Sequence, residues 1–206
     1  MKSVITIGRE FGSGGREIGR LIADKYGIPF YDKELLEESA KHSGICEDLF
    51  VSNDESCSNS FLYSLVMGTY PTTADGRINP EMPLNHRIFL AQFETIKRLS
   101  QSPCVIVGRC ADYVLQDHKN MVSVFVTGDM VEKKRRIGER YDIEKLKIED
   151  FIKKTDKRRA NYYEYYTDKK WGAAKNYDLC VNSSKVGIDG AVSTICAYVE
   201  LKENKT

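Results

Sequence analysis

Hydrophobic positions along the chain fall into two periods. Short apolar runs at Val4–Ile5–Thr6–Ile7 and Pro103–Cys104–Val105–Ile106–Val107 read as buried strands, and Met121–Thr127 and Tyr177–Asn182 read as further strands. Ile28–Pro29–Phe30–Tyr31 reads as a shorter one, ending at Asp32. Helical spacing lies between them. One helix is expected from Gly15 to Tyr26, stopped by Gly27 with Pro29 behind it. Glu34–Lys41 offers Leu35, Leu36 and Ala40 to one face, and Leu84–Leu99 offers Ile88, Phe89, Ala91, Phe93, Ile96 and Leu99. Further helices are expected from Gly128–Asp129 through Arg140, over Ile143–Tyr166 and over Ile188–Val199. Strands alternating with helices predict an α/β fold of three layers around a parallel sheet of about five strands.

Residues 44–83 break the pattern. Residues 44–60 are polar and read as irregular, Phe61–Val66 reads as helical, and Gly68–Pro83 is rich in breakers. This stretch is expected to be a lobe inserted in a single domain spanning 1–206.

The first strand runs straight into Gly8–Arg9–Glu10–Phe11–Gly12–Ser13–Gly14–Gly15–Arg16. Strand, glycine loop and helix together make an anion site: glycines let successive N–H groups face one point, and the helix N-terminus adds partial positive charge. The pattern departs from G-x-x-x-x-G-K-[ST]. With the second glycine set on Gly14, Gly15 stands where lysine belongs and Arg16 where the hydroxyl belongs. The alternative is a tight turn whose glycines only permit close packing.

Charge narrows the ligand. The 206 residues are 30% charged and 41% hydrophobic, with a net charge of +1, which argues against a nucleic-acid polymer or a membrane surface as partner. The distribution is uneven: residues 32–60 hold eight acids and two bases, residues 133–170 fourteen bases and eight acids. A basic segment in a near-neutral chain suits a small polyanion. The apolar run after Met1–Lys2 is too short for a signal peptide, and no run has membrane-spanning length, so a cytoplasmic protein is expected. The six cysteines show no C-x-x-C spacing and the three histidines stand far apart, so no protein metal site is expected. Cys104 and Cys180, both in apolar runs, are expected to be core thiols.

Two residues at strand ends carry alternative readings. Asp32 is placed to cap the following helix or to contact a ligand at the carboxyl edge of the sheet. Arg109, after Gly108, is either a solvated loop residue or a ligand contact at the same edge. The basic runs Lys133–Arg136 and Lys157–Arg159 are either solvated helix faces or charges for a phosphate, and the tyrosines of 162–166 read as packing.

Taken in order, these features resemble the nucleoside monophosphate kinases, most closely the cytidylate-kinase-like branch of P-loop kinases. The resemblance is strongest in Ile7–Gly19, Pro29–Leu35, Cys104–Leu115 and Asp156–Asn182, and the loop without lysine is itself a feature of that branch. Residues 44–83 do not share it. The resemblance implies a core with a helical lid (130–170) and an acceptor-binding lobe (44–83), passing the γ-phosphoryl of ATP to a nucleoside monophosphate, CMP or dCMP in type. It implies that Gly12, Ser13, Gly14 and Gly15 hold the donor phosphates and that Arg16 supplies the charge lysine otherwise gives. Asp32, Arg109 and Asp112 would bind the acceptor, and Arg135, Arg136, Arg158 and Arg159 would be lid charges, with Arg16, Arg158 and Arg159 catalytic. Mg²⁺ would arrive with the nucleotide, Asp112 being the nearest carboxylate. Two other readings share the fold: a regulatory nucleotide-binding protein that has lost transfer, and a small kinase with a non-nucleotide acceptor.

Overall fold

A computed structural model describes residues 1–52 and 83–205. The helix expected at Phe61–Val66 and most of the lobe expected at 44–83 lie outside the described residues. Five strands, β1 (Val4–Arg9), β2 (Phe30–Tyr31), β3 (Val105–Val107), β4 (Met121–Thr127) and β5 (Leu179–Asn182), form one sheet in the order β2-β3-β1-β4-β5. Every pairing is parallel, and β1 is central: Ile5 lies opposite Val105 and Val122, and Ile7 opposite Val107 and Val124.

The helices are α1 (Gly15–Tyr26), α2 (Glu34–Ser43), α3 (Glu47–Ser52), α4 (Leu84–Leu99), α5 (Ala111–Val114), α6 (Met130–Arg140), α7 (Ile148–Thr167) and α8 (Ser183–Glu203). Alternation along the central strands sorts them into layers. Ile5, Ile7, Val105, Val107, Val122 and Val124 pack with Ile18 and Ile22 of α1 and Ala191 and Ile195 of α8. Val4 and Ile106 face the other way, onto Leu35 of α2, Ile96 of α4 and Ala111 of α5. Each such aliphatic side chain contributes about 1.5–3 kcal/mol by leaving water. The three-layer parallel α/β fold expected from the pattern is the fold observed.

The structure departs from the pattern at several points. Residues 44–60 are not wholly irregular: α3 sits among the acids, and its Phe50 is fully buried with Leu36, Ile45, Ile88 and Ala91. Cys180 is exposed, because β5 is an edge strand and that position faces solvent, whereas Cys104 is buried and burial pushes its thiol up to about 12. The last helix starts at Ser183, where the Asn182 side chain caps the Ser184 N–H at 2.9 Å, and is broken at Gly187 with φ 73°. Among the described residues no helix is long and apolar enough to cross a membrane.

Candidate active site

Strand order sets the location. From β1 the chain crosses to one side of the sheet to build β2 and β3, then returns to the other side for β4, so a crevice opens at the carboxyl end of β1. The glycine loop fills that point. Gly12 and Gly14 both take φ 81°, a conformation that L side chains rarely adopt. Gly14 is the N-cap of α1 and supplies no side chain to the first-turn amides. The loop is braced from outside: Arg136 donates to the Gly12 carbonyl at 3.3 Å, and the Ser183 hydroxyl donates to the Ser13 carbonyl. A trans peptide with its carbonyl turned out to Ser183 points the Gly14 N–H the opposite way. The buried Ser13 hydroxyl donates across the loop to the Glu10 carbonyl at 2.8 Å. The close-packing reading of the glycines also holds, since a Cβ on Gly15 would stand 2.5 Å from the Arg9 Cβ.

Asp32 is the hub of the opposite wall. Its carboxylate does not cap α2, which has no side-chain cap. It receives Arg16 Nε at 2.6 Å on one oxygen and Arg109 Nη1 at 3.3 Å on the other. Burial opposes this charge, but Arg109, then Arg9 and Arg16, outweigh burial and hold the Asp32 carboxyl below the ordinary carboxylate range. Arg109 is not a solvated loop residue. It is buried, takes φ 54°, and also donates to the Val107 carbonyl at 3.2 Å. Arg16 is half-exposed and reaches sideways to Asp32, so it links the glycine loop to the far wall.

Beside this hub lies a recess of about 20 Å³ whose walls include Arg9, Arg109, Arg159, Asp112, Tyr163 and Tyr177. Asp112 accepts a hydrogen bond from the Tyr163 hydroxyl at 2.7 Å. Burial pushes the Asp112 carboxyl above its ordinary range, and the Tyr163 bond offsets this only in part. Burial and the nearby Asp112 charge push the Tyr163 hydroxyl upward in turn, which keeps it a donor.

The four arginines expected in a lid separate into different places. Arg159 approaches the loop: its Nη1 lies 3.5 Å from the Arg9 carbonyl and its guanidinium 5.5 Å from the Phe11 ring centre. Arg136 lies behind the loop, against Gly12 and Ser183. Arg135 is bound on its own helix by Glu132 and Glu139, at 3.0 and 2.8 Å, on an exposed face. Arg158 is exposed. Of the four, the structure brings Arg159 to the recess and Arg136 to the back of the loop. Tyr166 is packing, as the pattern implied, stacked on Phe89 at 3.9 Å, and Tyr162 bonds Gln92, whereas Tyr163 also turns its hydroxyl to Asp112 in the recess.

Sequence reasoning missed the roles of Glu10, Asp156 and Ser183, and Lys133 is neither a solvated charge nor turned to the recess. Lys133 is almost wholly buried, 2.8 Å from Asp156 and 3.2 Å from Glu10. Asp156 also receives the Phe11 N–H at 2.6 Å. The signal was a lone acid within the basic run of α7, one turn before Arg159. No group of three His, Cys, Asp or Glu side chains among the described residues could hold a metal ion. Arg16 stands where a P-loop places its metal-binding hydroxyl.

Parallel order β2-β3-β1-β4-β5 with a phosphate-type glycine loop after the central strand defines a P-loop kinase fold. The chain belongs to the cytidylate kinase-like family, whose description matches residues 4–185. A crystal structure of an uncharacterized protein from Eubacterium ventriosum ATCC 27560 is 32% identical, covers 97% of this chain and 99% of that chain, and superposes with a TM-score of 0.73. The fold is shared with a shikimate kinase from Bacteroides thetaiotaomicron (15% identity, 97% of this chain and 99% of that chain, TM-score 0.54). It is shared equally with a gluconokinase from Sinorhizobium meliloti 1021 (15% identity, 100% and 98%, TM-score 0.52). Among proteins of curated function, none matches this chain.

Proposed function

We propose that the protein transfers the γ-phosphoryl group of ATP to a nucleoside monophosphate of the CMP or dCMP type, giving the diphosphate. The observation that carries this reading is the bridge Arg16–Asp32–Arg109, which joins the donor loop to the end of β3 across the crevice. Phosphoryl transfer asks a protein mainly for alignment and positive charge around the moving oxygens. The loop amides and the N-terminus of α1 suit the donor phosphates. Arg109 and Arg9, with Arg159 above them, suit an acceptor phosphate, since a guanidinium grips phosphate through two parallel bonds. Mg²⁺, where it takes part, is carried by the nucleotide and not by a site on the chain.

A second reading has its own observation. The recess is small and holds a carboxylate whose proton affinity burial has raised, an arrangement suited to taking the proton of an acceptor hydroxyl. That favours a small hydroxylated acceptor, for which Asp112 is the base. ATP turnover measured with a panel of nucleoside monophosphates and hydroxylated small molecules separates the two. CMP or dCMP as the best acceptor supports the first reading. Transfer confined to hydroxyl acceptors overturns it, and binding of ATP without transfer to any acceptor points to a regulatory protein.

A further inference from the structure

An ion network built around the buried Lys133 beside the glycine loop joins three separate pieces of the site. Glu10 comes from the loop after β1, Lys133 from α6 and Asp156 from α7. Lys133 Nζ lies 3.2 Å from Glu10 and 2.8 Å from Asp156, and its side chain is 5% exposed. Each carboxylate also takes a backbone donor. Gly128 N–H reaches Glu10 at 3.1 Å, and Phe11 N–H reaches the second oxygen of Asp156 at 2.6 Å.

Such a network is a weak source of stability, because removing charges from water costs about what their attraction returns. Adhesion between these elements is supplied elsewhere: Ile137, Ile148 and Ile152 form an apolar cluster, with Phe11, Met130 and Ile143 packed against it. What the network adds is register. An apolar contact tolerates sliding, whereas a carboxylate holding one backbone N–H and one ammonium fixes α7 against the loop to within a hydrogen-bond length. Asp156 and Arg159 are three apart on α7 and share a face. Fixing Asp156 therefore fixes where the Arg159 guanidinium stands, beside the Arg9 carbonyl and over the Phe11 ring.

We propose that Asp156, with Lys133 and Glu10, is a positioning residue that sets Arg159 against the donor loop. This rests on the phosphoryl-transfer reading above. Its consequence is specific: Asp156 acts on transfer only through Arg159.

The test is a double-mutant cycle of Asp156→Ala and Arg159→Ala in the full chain. It is read by kcat, by ATP and ADP affinity from calorimetry, and by hydrogen exchange at the Phe11 amide. Each single variant should lower kcat by roughly tenfold or more with ATP KM changed less than about threefold, and the pair should be no slower than Arg159→Ala alone. Phe11 exchange should rise in Asp156→Ala and stay unchanged in Arg159→Ala. Losses that multiply in the pair, or Phe11 exchange unaffected by Asp156→Ala, overturn the proposal. Should Asp156→Ala fail to fold, Asp156→Asn carries the cycle, since it keeps an acceptor for Phe11 and loses only the charge facing Lys133. Should the wild type transfer to no acceptor, the transfer reading falls, and the positioning role is decided by ATP affinity relative to ADP. Equal, non-additive loss of that preference in both variants supports it, and independent losses overturn it.

Discussion

Arg16 and Arg109 meet on one carboxylate, and their environments differ. Arg16 is 53% exposed at its side chain, whereas Arg109 is 1% exposed. Arg109→Ala leaves Asp32 with Arg16 as its bonded partner and a buried oxygen without its donor, and we expect a stability loss of about 1.5–3 kcal/mol in urea unfolding, with acceptor KM raised about tenfold or more. Its pH dependence has a definite sign. Asp32 is held below the ordinary carboxylate range, so its contribution is present above the unfolded value near ~3.9 and is lost as pH falls through the folded value. Without Arg109 that loss should begin at higher pH, visible as an acid limb of the Tm–pH curve moved toward neutrality. Arg16→Met, which keeps the stem and drops the charge, should leave Tm nearly unchanged. It should lower kcat by roughly tenfold to a hundredfold and raise acceptor KM, because Arg16 bonds Asp32. An acceptor KM equal to wild type would assign Arg16 to the donor alone. Asp112 runs the other way. Burial raises its folded value, so the stability linked to its proton is present below the unfolded value and lost as pH rises through the folded one. Asp112→Asn should raise Tm at neutral pH, and the gain should shrink as pH falls toward about 4.

At the scale of elements, the glycine loop is held between helices, and this limits what it tolerates. A Cβ on Gly14 would stand 2.5 Å from Ile188 Cδ1, at φ 81°. The left-handed backbone alone costs an alanine about 1–2 kcal/mol. Gly14→Ala should weaken ATP binding about tenfold or more in calorimetry, and shortening Ile188 to Ala should not restore it, since the backbone strain remains. Helix α7 is held at both ends. Its start packs through Ile148 and Ile152 near Phe11, and its end through Tyr162, Tyr163 and Tyr166 near Phe89 and Cys110. The helical boundaries most legible in the pattern were those with strong punctuation. Gly27, at φ 63°, ends α1 where expected, and α4 and β4 match their apolar runs residue for residue. Boundaries set by distant partners were not legible. β1 runs on through Gly8 and Arg9 because β4 pairs with both, and α5 forms after two left-handed residues that are not glycine.

Over the whole molecule, donor binding can be read without knowing the acceptor. ATP at about a hundred times its Kd should add about 2.7 kcal/mol to stability, a Tm rise of about 5–10 °C for a chain of this length. A Tm unmoved by ATP would show that the chain does not bind it. The sequence by itself determined the layer architecture, because period-2 and period-3.6 apolar runs leave each element one way to bury its face. It also determined the glycine loop and its missing lysine, which are local facts about consecutive residues. It marked Asp32 and Arg109 as strand-end residues but left each with two roles, since a cap and a ligand contact use the same chemistry. Only the tertiary structure set aside the helix cap for Asp32 and the solvated loop for Arg109, by bringing Arg16, Asp32 and Arg109 from three chain segments to one point. The same holds for Glu10, Lys133 and Asp156, and for the sorting of Arg135, Arg136, Arg158 and Arg159 into different surroundings. Helical spacing says which side chains share a face. Which partner that face meets depends on contacts between residues far apart in the chain, and those exist only once the sheet has set the helices in place.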